Sequence, residues 1–198
     1  MQKLNLIVLM TSLSLHGAGA ADRSHYALAP GKVQISGLFG ANRNEVRDET
    51  KPSARGEFLL GLPHSFAAYA DGGWDHVIGF RLTFHDGSGE SQGSDPLTAR
   101  ASADLYHFGG GLQWSIPTRS RVVPYLQGGL GWVHATGSAQ VGAQSWSASR
   151  NHVAGTFGCG AKVHVSRNFG VLADLRLLKG HDMTGLVRVS GGFFYQFR

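Results

Sequence analysis

The sequence predicts an all-β fold, an eight-stranded antiparallel up-and-down β-barrel. Two observations support this prediction. Apolar and polar residues alternate with a period of two along most of the chain, which is typical of strands whose two faces meet different surroundings. The segments between these strands are alternately long and short. In an antiparallel sheet this places the long loops at one end and the tight turns at the other.

The alternation divides the chain into eight predicted strands. They cover residues 32–41, a second strand that starts at 55, and then 74–85, 99–116, 122–135, 151–165, 169–178 and 187–197. Long loops are predicted at 42–54, 86–98 and 136–150, whereas 70–73, 117–121, 166–168 and 179–184 are short links. The last strand has a wide aromatic face made of Val187, Val189, Gly191, Phe193, Tyr195 and Phe197.

The first 20 residues have the composition of a secretory signal peptide. Lys3 precedes an apolar run from Leu4 to Leu15, and Ala18-Gly19-Ala20 supplies the small residues of a cleavage site. The run is shorter than the roughly 20 residues that span a bilayer as a helix. We therefore expect residues 1–20 to be removed and residues 21–198 to form one barrel domain.

Composition argues against an ordinary soluble domain. Charged residues make up 16% of the chain, against roughly 25% in soluble domains. The net charge of +5 is not concentrated in a Lys/Arg cluster, so we expect no nucleic-acid partner. Cys159 is the single cysteine, which rules out an intrachain disulfide.

The predicted strands suit a membrane crossing. About 9 to 11 tilted residues span a bilayer as a strand, and only a closed sheet leaves no backbone edge unpaired in lipid. The face opposite the apolar one holds Gly, Ser, Thr and isolated charges, too few Lys and Glu for a wall in water. We therefore predict a transmembrane barrel with its apolar face outward. The alternative is a soluble periplasmic barrel that holds a lipid inside.

Outward aromatic residues near the strand ends are predicted to form interfacial girdles, namely Trp74, Phe84, Tyr106, Trp114, Trp132, Phe193 and Tyr195. With its Pro124-Tyr125 strand start, Gly128-Gly129-Leu130-Gly131 and aromatic last strand, the chain resembles the small OmpA/OmpX-type outer-membrane barrels over essentially its mature length.

This resemblance implies several properties of the protein. They are a place in the outer membrane, contact with its lipid and lipopolysaccharide, and folding by the barrel-assembly machinery. The aromatic assembly signal would consist of Tyr195 and Phe197, with Arg198 after it.

Charged residues on the inward faces are predicted to form a structural network. An eight-stranded barrel has room only for side chains, and charges there must pair to offset their desolvation. We expect such a network rather than a conducting pore, with Asp174 paired to Arg188 on the next strand. The candidates are Glu57, Arg81, Asp104, Lys162, Asp174, Arg176 and Arg188.

No motif points to catalysis, a cofactor or a metal. The ten histidines include no His-x-x-x-His or paired Cys/His spacing. Gly155, Gly158 and Gly160 lie in an alternating strand with no helix after it, unlike a nucleotide loop. We therefore expect a noncatalytic outer-membrane barrel whose exposed loops serve surface interaction or envelope integrity through a loop ligand not yet known. A lipid-modifying outer-membrane enzyme is the second alternative.

Overall fold

The computed structural model describes residues 26–44, 47–84, 97–180 and 183–197. Eight antiparallel strands form one closed barrel in chain order, and β1 pairs with β8 to close it. The strands are β1 (Val33–Asn44), β2 (Arg47–Gly61), β3 (Phe66–Phe84), β4 (Leu97–Ser115), β5 (Val122–Val141), β6 (Gln144–His164), β7 (Phe169–Gly180) and β8 (Met183–Phe197). The predicted fold class is confirmed. Among the described residues, no helix is long and apolar enough to cross a membrane.

The barrel is apolar on the outside and polar on the inside. Buried inward positions include Gln34, Gln113 and Gln127, while outward positions carry exposed apolar side chains. These outward side chains form an apolar belt that includes Phe39, Phe58, Leu112, Leu126, Leu130, Phe157, Leu175, Val189 and Phe193. A soluble barrel around a lipid would need the opposite arrangement, so that alternative is wrong.

The turn between the second and third strands differs from the prediction. It is a short 3₁₀ turn at Pro63–Ser65, and residues 70–73 lie within β3. Pro63 interrupts the strand pattern, and His64 and Ser65 adopt positive φ values of 59° and 63°. Gly73 serves packing instead, since a Cβ there would lie 2.5 Å from the carbonyl oxygen of Ala54.

Most of the residues predicted as long loops extend the strands instead. β5 and β6 pair without a break as far as Val141 and Gln144, and they are joined by a two-residue turn in which Gly142 has a φ of 58°. β3 loses its β2 partner after Asp75, and β6 gains its β7 partner only at Ala154. We call the protruding part of β3–β6 the sheet extension: residues 76–84, 97–106, 134–141 and 144–153.

The segment before β1 covers the turn end of the barrel. The Leu28 side chain is buried in a cluster with Leu59 and Tyr69. The Gly31 N–H donates to the Gly61 carbonyl at 2.9 Å. The mouth of the lumen at this end is therefore narrowed by the chain itself.

Candidate functional site

Charged side chains fill the middle of the lumen. Among the described residues, four cations and four carboxylates are buried there, and all eight lie on strand positions that point inward. They come from β2, β3, β6, β7 and β8, and they are Arg55, Glu57, Asp71, Asp75, Lys162, Asp174, Arg176 and Arg188. We call these eight residues the lumen network. Their formal charges balance.

Arg176 on β7 lies at the centre of the network. Its Nη2 donates to Glu57 Oε2 at 2.8 Å, and its Nη1 donates to Asp71 Oδ2. Its guanidinium also lies 5.4 Å from the centre of the Tyr69 ring, a cation–π contact. Glu57 and Asp71 belong to β2 and β3, which are not neighbours of β7, so this one side chain ties opposite walls of the barrel together.

Asp174 accepts hydrogen bonds from three side chains on two other strands. Arg55 Nη2 donates to its Oδ1 at 2.8 Å, while Tyr125 Oη and Gln127 Nε2 donate to its Oδ2 at 2.9 Å and 2.7 Å. A buried carboxylate with this many donors is largely compensated for the water it has lost. β2, β5 and β7 are thereby connected through a single side chain.

Arg188 on β8 binds Asp75 on β3 through two nitrogens. Its Nε donates to Asp75 Oδ1 at 2.9 Å, and its Nη2 donates to Oδ2 of the same carboxylate. This is the bidentate arrangement that favours arginine over lysine. Asn42 Nδ2 donates to Asp75 Oδ1 at 3.2 Å, and the His107 ring lies 3.7 Å from Oδ2.

Lys162 lies apart from the arginines. Its Nζ donates to Gln34 Oε1 at 3.1 Å and lies 5.3 Å from the centre of the Tyr125 ring. Gln196 donates to the same Gln34 oxygen at 3.2 Å. This side chain is held by amide and aromatic groups, while the three arginines hold the four carboxylates.

The predicted network residues do not all point into the lumen. Glu57, Lys162, Asp174, Arg176 and Arg188 point into the lumen and are buried, as predicted. The position assigned to Asp104 is wrong, because its side chain lies on the outer face of the sheet extension and is 30% exposed. Asp104 shares the parity of Tyr106 and Phe108, which both face outward. The Arg81 side chain lies outside the described residues.

The expected pairing within the network also differs. Asp174 binds Arg55 and Arg188 binds Asp75, so the predicted Asp174–Arg188 pair is wrong. In the register of β7 and β8, Asp174 faces Ser190 and Arg176 faces Arg188. Three members of the network are absent from the sequence-based prediction, namely Arg55, Asp71 and Asp75. Asp71 was hidden by the misplaced turn, whereas the inward parity of Asp75 was visible in the sequence.

No catalytic or metal-binding arrangement is evident in the described part of the chain. No group of three His, Cys, Asp or Glu side chains there could hold a metal ion. His164 and Ser166 have the spacing His-x-Ser, but both are structural. The His164 ring packs against Tyr26 and Phe194, with centroids 5.1 Å and 4.8 Å away. Ser166 Oγ accepts the N–H of Phe169 at 3.1 Å.

The aromatic end of the chain lies on the outer surface at the turn end. Tyr195 and Phe197 point outward, and their rings are 4.9 Å apart in an edge-to-face contact. Phe197, the last residue of β8, pairs with Val33, the first residue of β1. This pair closes the barrel at its turn end.

The fold and the lumen define the class of protein: an integral outer-membrane β-barrel with a filled interior. The chain belongs to the outer membrane protein β-barrel domain family, whose model matches residues 6–197. The outer membrane is therefore its location. No curated protein sequence matches the chain at a significant level.

Solved structures show the same fold. Ail, the attachment invasion locus protein of Yersinia pestis, is 15% identical with a TM-score of 0.55, over 84% of this chain and 97% of that one. Neisserial surface protein A is 16% identical with a TM-score of 0.58, over 84% and 96%. OprG from Pseudomonas aeruginosa is 10% identical with a TM-score of 0.56, over 87% and 99%.

Proposed function

We propose that the protein is a noncatalytic outer-membrane barrel that acts through its exposed end by binding a partner at the cell surface. The observation that carries this proposal is the free edge of β6. Residues 144–153 pair with β5 on one side, and no described strand pairs with their other side. About half of these ten residues direct their backbone N–H and C=O groups away from β5, where an added strand can pair with them.

The composition of this edge favours strand addition. Edge strands that are exposed to water are usually protected against pairing by Pro, by inward-pointing charges or by a bulge. Residues 144–153 contain no Pro and no Gly, Arg150 is their one Lys or Arg, and their register with β5 is unbroken. The polar side chains keep the edge soluble while leaving its backbone accessible.

The lumen supports the noncatalytic part of the proposal. Its four carboxylates are all bound by arginine side chains, so these groups are engaged in ion pairs rather than presented to a substrate. Ail has been solved in complex with the heparin analogue sucrose octasulfate, which demonstrates ligand binding by another barrel of this shape. This supports a search for a ligand of the present protein.

The test shortens the β5–β6 hairpin. Removing residues 135–150 and joining His134 to Asn151 through Asn-Gly takes away seven of the ten residues of the free edge and leaves the lumen network intact. Cells that display this variant should lose attachment to neighbouring cells and to immobilised matrix proteins. Its gel migration before and after boiling should match that of the wild type, which shows an assembled barrel. Unchanged attachment in an assembled variant would refute the proposal.

Support of envelope integrity is the second candidate function, and the lumen network favours it. A barrel braced by cross-lumen ion pairs adds a rigid, sealed body to the membrane. If this is the main role, deleting the whole protein should sensitise cells to detergent, whereas shortening the hairpin should not.

We also propose the remaining steps of biogenesis and the lipid partner. Cleavage after residue 20, assembly through the Tyr195 and Phe197 signal, and contact with lipopolysaccharide all agree with the family and with the outward position of those rings. N-terminal sequencing of the protein from outer membranes tests the cleavage. A mature chain that starts at a residue other than 21 would contradict it.

A further inference from the structure

The outward face of the sheet extension changes character sharply above the apolar belt. The last apolar row consists of Phe108, Trp132 and Val153, which are exposed neighbours on β4, β5 and β6. Two residues further along each strand, the row is Trp74, Tyr106, His134 and Asn151. The next rows are His76, Asp104, Thr136 and Ser149, and then Ser102, Ser138 and Ser147.

Hydrogen bonds hold the aromatic rings of this face in place. Asp104 Oδ1 accepts the indole N–H of Trp74 at 3.1 Å and the Nδ1–H of His76 at 2.9 Å. On the neighbouring strands, the His134 ring donates from Nδ1 to Asn151 Oδ1 at 2.6 Å and stacks on Trp132 with centroids 5.7 Å apart. The rings are therefore preorganised, and ordering them adds little entropic cost to binding.

Two adjoining cavities, both broadly open to solvent, lie above these rings, with volumes of about 330 Å³ and 600 Å³. Both are in the size range of small-ligand sites. They share the hydroxyl residues Ser102, Ser138 and Ser147, and the Ser102 and Ser138 hydroxyls lie 2.9 Å apart. Arg100 lines the larger cavity and supplies a cation at its upper end. We call the two cavities and the ring row below them the hydroxyl face.

The chemistry of the hydroxyl face matches a sugar. A pyranose ring has a patch of C–H groups that packs on an aromatic face and a rim of hydroxyls that exchange hydrogen bonds. Tyr106 in the ring row offers exposed ring surface, as does Trp132 in the apolar row directly below it. The Ser, Thr, Asn and Asp groups supply hydrogen-bond donors and acceptors between them. Acyl chains would leave these polar groups unpaired, which excludes them as ligands.

The position of the hydroxyl face relative to the membrane indicates which molecule carries the sugar. The hydroxyl face points sideways from the barrel wall, and its first row lies only about 7 Å along the strand from the last apolar row. A ligand there stands in the outer leaflet beside the protein. Resting on the proposed contact with lipopolysaccharide, we propose that the hydroxyl face binds the core sugars of lipopolysaccharide in the surrounding leaflet.

The experiment uses the full chain purified from outer membranes and reconstituted in phosphatidylcholine nanodiscs. The probe is core oligosaccharide released by mild acid from rough-type lipopolysaccharide, and dextran of similar mass is the comparison sugar. The test variant is Ser102→Leu/Ser138→Leu, which fills the shared part of both cavities. The matched control is Ala99→Leu/Ala103→Leu, whose positions alternate with Ser102 on β4 and so face the other side of the sheet. Migration before and after boiling verifies that each variant is assembled.

We expect the core oligosaccharide to bind and dextran not to bind. The test variant should weaken binding at least tenfold, and the control should stay within twofold of the wild type. Equal binding by the assembled test variant, equal binding of dextran, or no binding of the oligosaccharide would each overturn the inference. Cell attachment measured with the same variants separates the two proposals, because the free edge of β6 is intact in both. Loss of attachment with unchanged oligosaccharide binding would assign the hydroxyl face to a protein partner and overturn the sugar site.

Discussion

The guanidinium of Arg176 reaches Glu57 across the lumen, with Nη2 and Oε2 2.8 Å apart and both side chains buried. Each charge would be costly to bury alone, and each is compensated by the other. The pair also fixes the distance between β7 and β2, which share no backbone hydrogen bond. Removing either partner alone would therefore leave an uncompensated buried charge and destabilise the closed barrel.

Replacing Arg176 with Met should destabilise the barrel by about 3–5 kcal/mol, because Glu57 and Asp71 are left buried without their main cation. Urea unfolding in lipid vesicles measures this free energy. The double variant Arg176→Met/Glu57→Gln should recover part of the loss, since it leaves one orphaned carboxylate fewer. Lys179→Met, an exposed position on the same strand, is the control and should change stability by less than about 0.5 kcal/mol. Equal stability of R176M and wild type would refute the role of the network.

Asp174→Asn should also destabilise the barrel, by about 3 kcal/mol, since Arg55 loses its 2.8 Å carboxylate partner and retains only Asp71 at 3.9 Å. The same unfolding measurement applies. An unchanged midpoint would show that Asp174 is not part of a stabilising network. Asp104→Asn, an outward carboxylate, serves as the matched comparison and should have a smaller effect.

Gly160→Ala should cost about 1–3 kcal/mol through overpacking. A Cβ at this inward position would lie 2.3 Å from the Ala173 carbonyl oxygen and 2.5 Å from the Tyr125 ring. Tyr125 cannot retreat without losing its hydrogen bond to Asp174. Gly155→Ala on the same strand is the control, because its nearest contact would be an ordinary 3.7 Å. If the two variants unfold at the same urea concentration, the close approach at Gly160 is not restrictive.

Leu130→Arg should destabilise the folded barrel in lipid by about 2–4 kcal/mol, because it places a charge in the apolar belt. Leu130 is 68% exposed on the outer surface and has glycines as its neighbours on both adjacent strands. Ala143→Arg, in the turn of the β5–β6 hairpin, should be neutral. Urea unfolding in lipid vesicles measures the change for both variants. Tolerance of arginine at position 130 would contradict contact with hydrocarbon there.

Phe197→Ala should reduce the assembled fraction several-fold in cells, if the penultimate aromatic residue serves as the assembly signal. The readout is the share of outer-membrane protein whose gel migration changes on boiling. Phe193→Ala removes an aromatic ring from the same face, further from the chain end, and should assemble normally. Purified F197A should still fold in vesicles. A folding defect there would point to lost packing rather than lost recognition.

The sequence predicted the strand number, the inside-out arrangement and the even-odd face of most residues, because a period of two is read directly from the chain. The prediction failed where it was ambiguous which residues end a strand. Gly72-Gly73 resembled a turn, although Pro63 is the residue that interrupts the strand. The segments predicted as long loops keep the alternation in weaker form, as in β5, where Gly137, Ala139 and Val141 lie on one face and Thr136, Ser138 and Gln140 lie on the other. The polar composition of these segments makes the alternation hard to recognise in the sequence.

The partners within the lumen could not be predicted from spacing. Arg188 and Asp75 are on β8 and β3, and their contact depends on the tilt and stagger with which the sheet closes. Sequence neighbours along adjacent strands, such as Asp174 and Arg188, were therefore a poor guide. The outward position of Asp104 was available from the sequence, since Asp104 and Tyr106 share a face.

The unbroken β5–β6 ladder has a mechanical consequence. It runs from the pair Val122 and Val163 at the turn end to Val141 and Gln144 at the tip. A pull on the tip away from the cell acts along the strands and across the hydrogen bonds that tie β5 to β4 and β6 to β7. The force is therefore a shear that is distributed over all of these hydrogen bonds at once. They do not break one after another from the tip. A particle attached at the tip is therefore anchored through the wall of the barrel into the membrane.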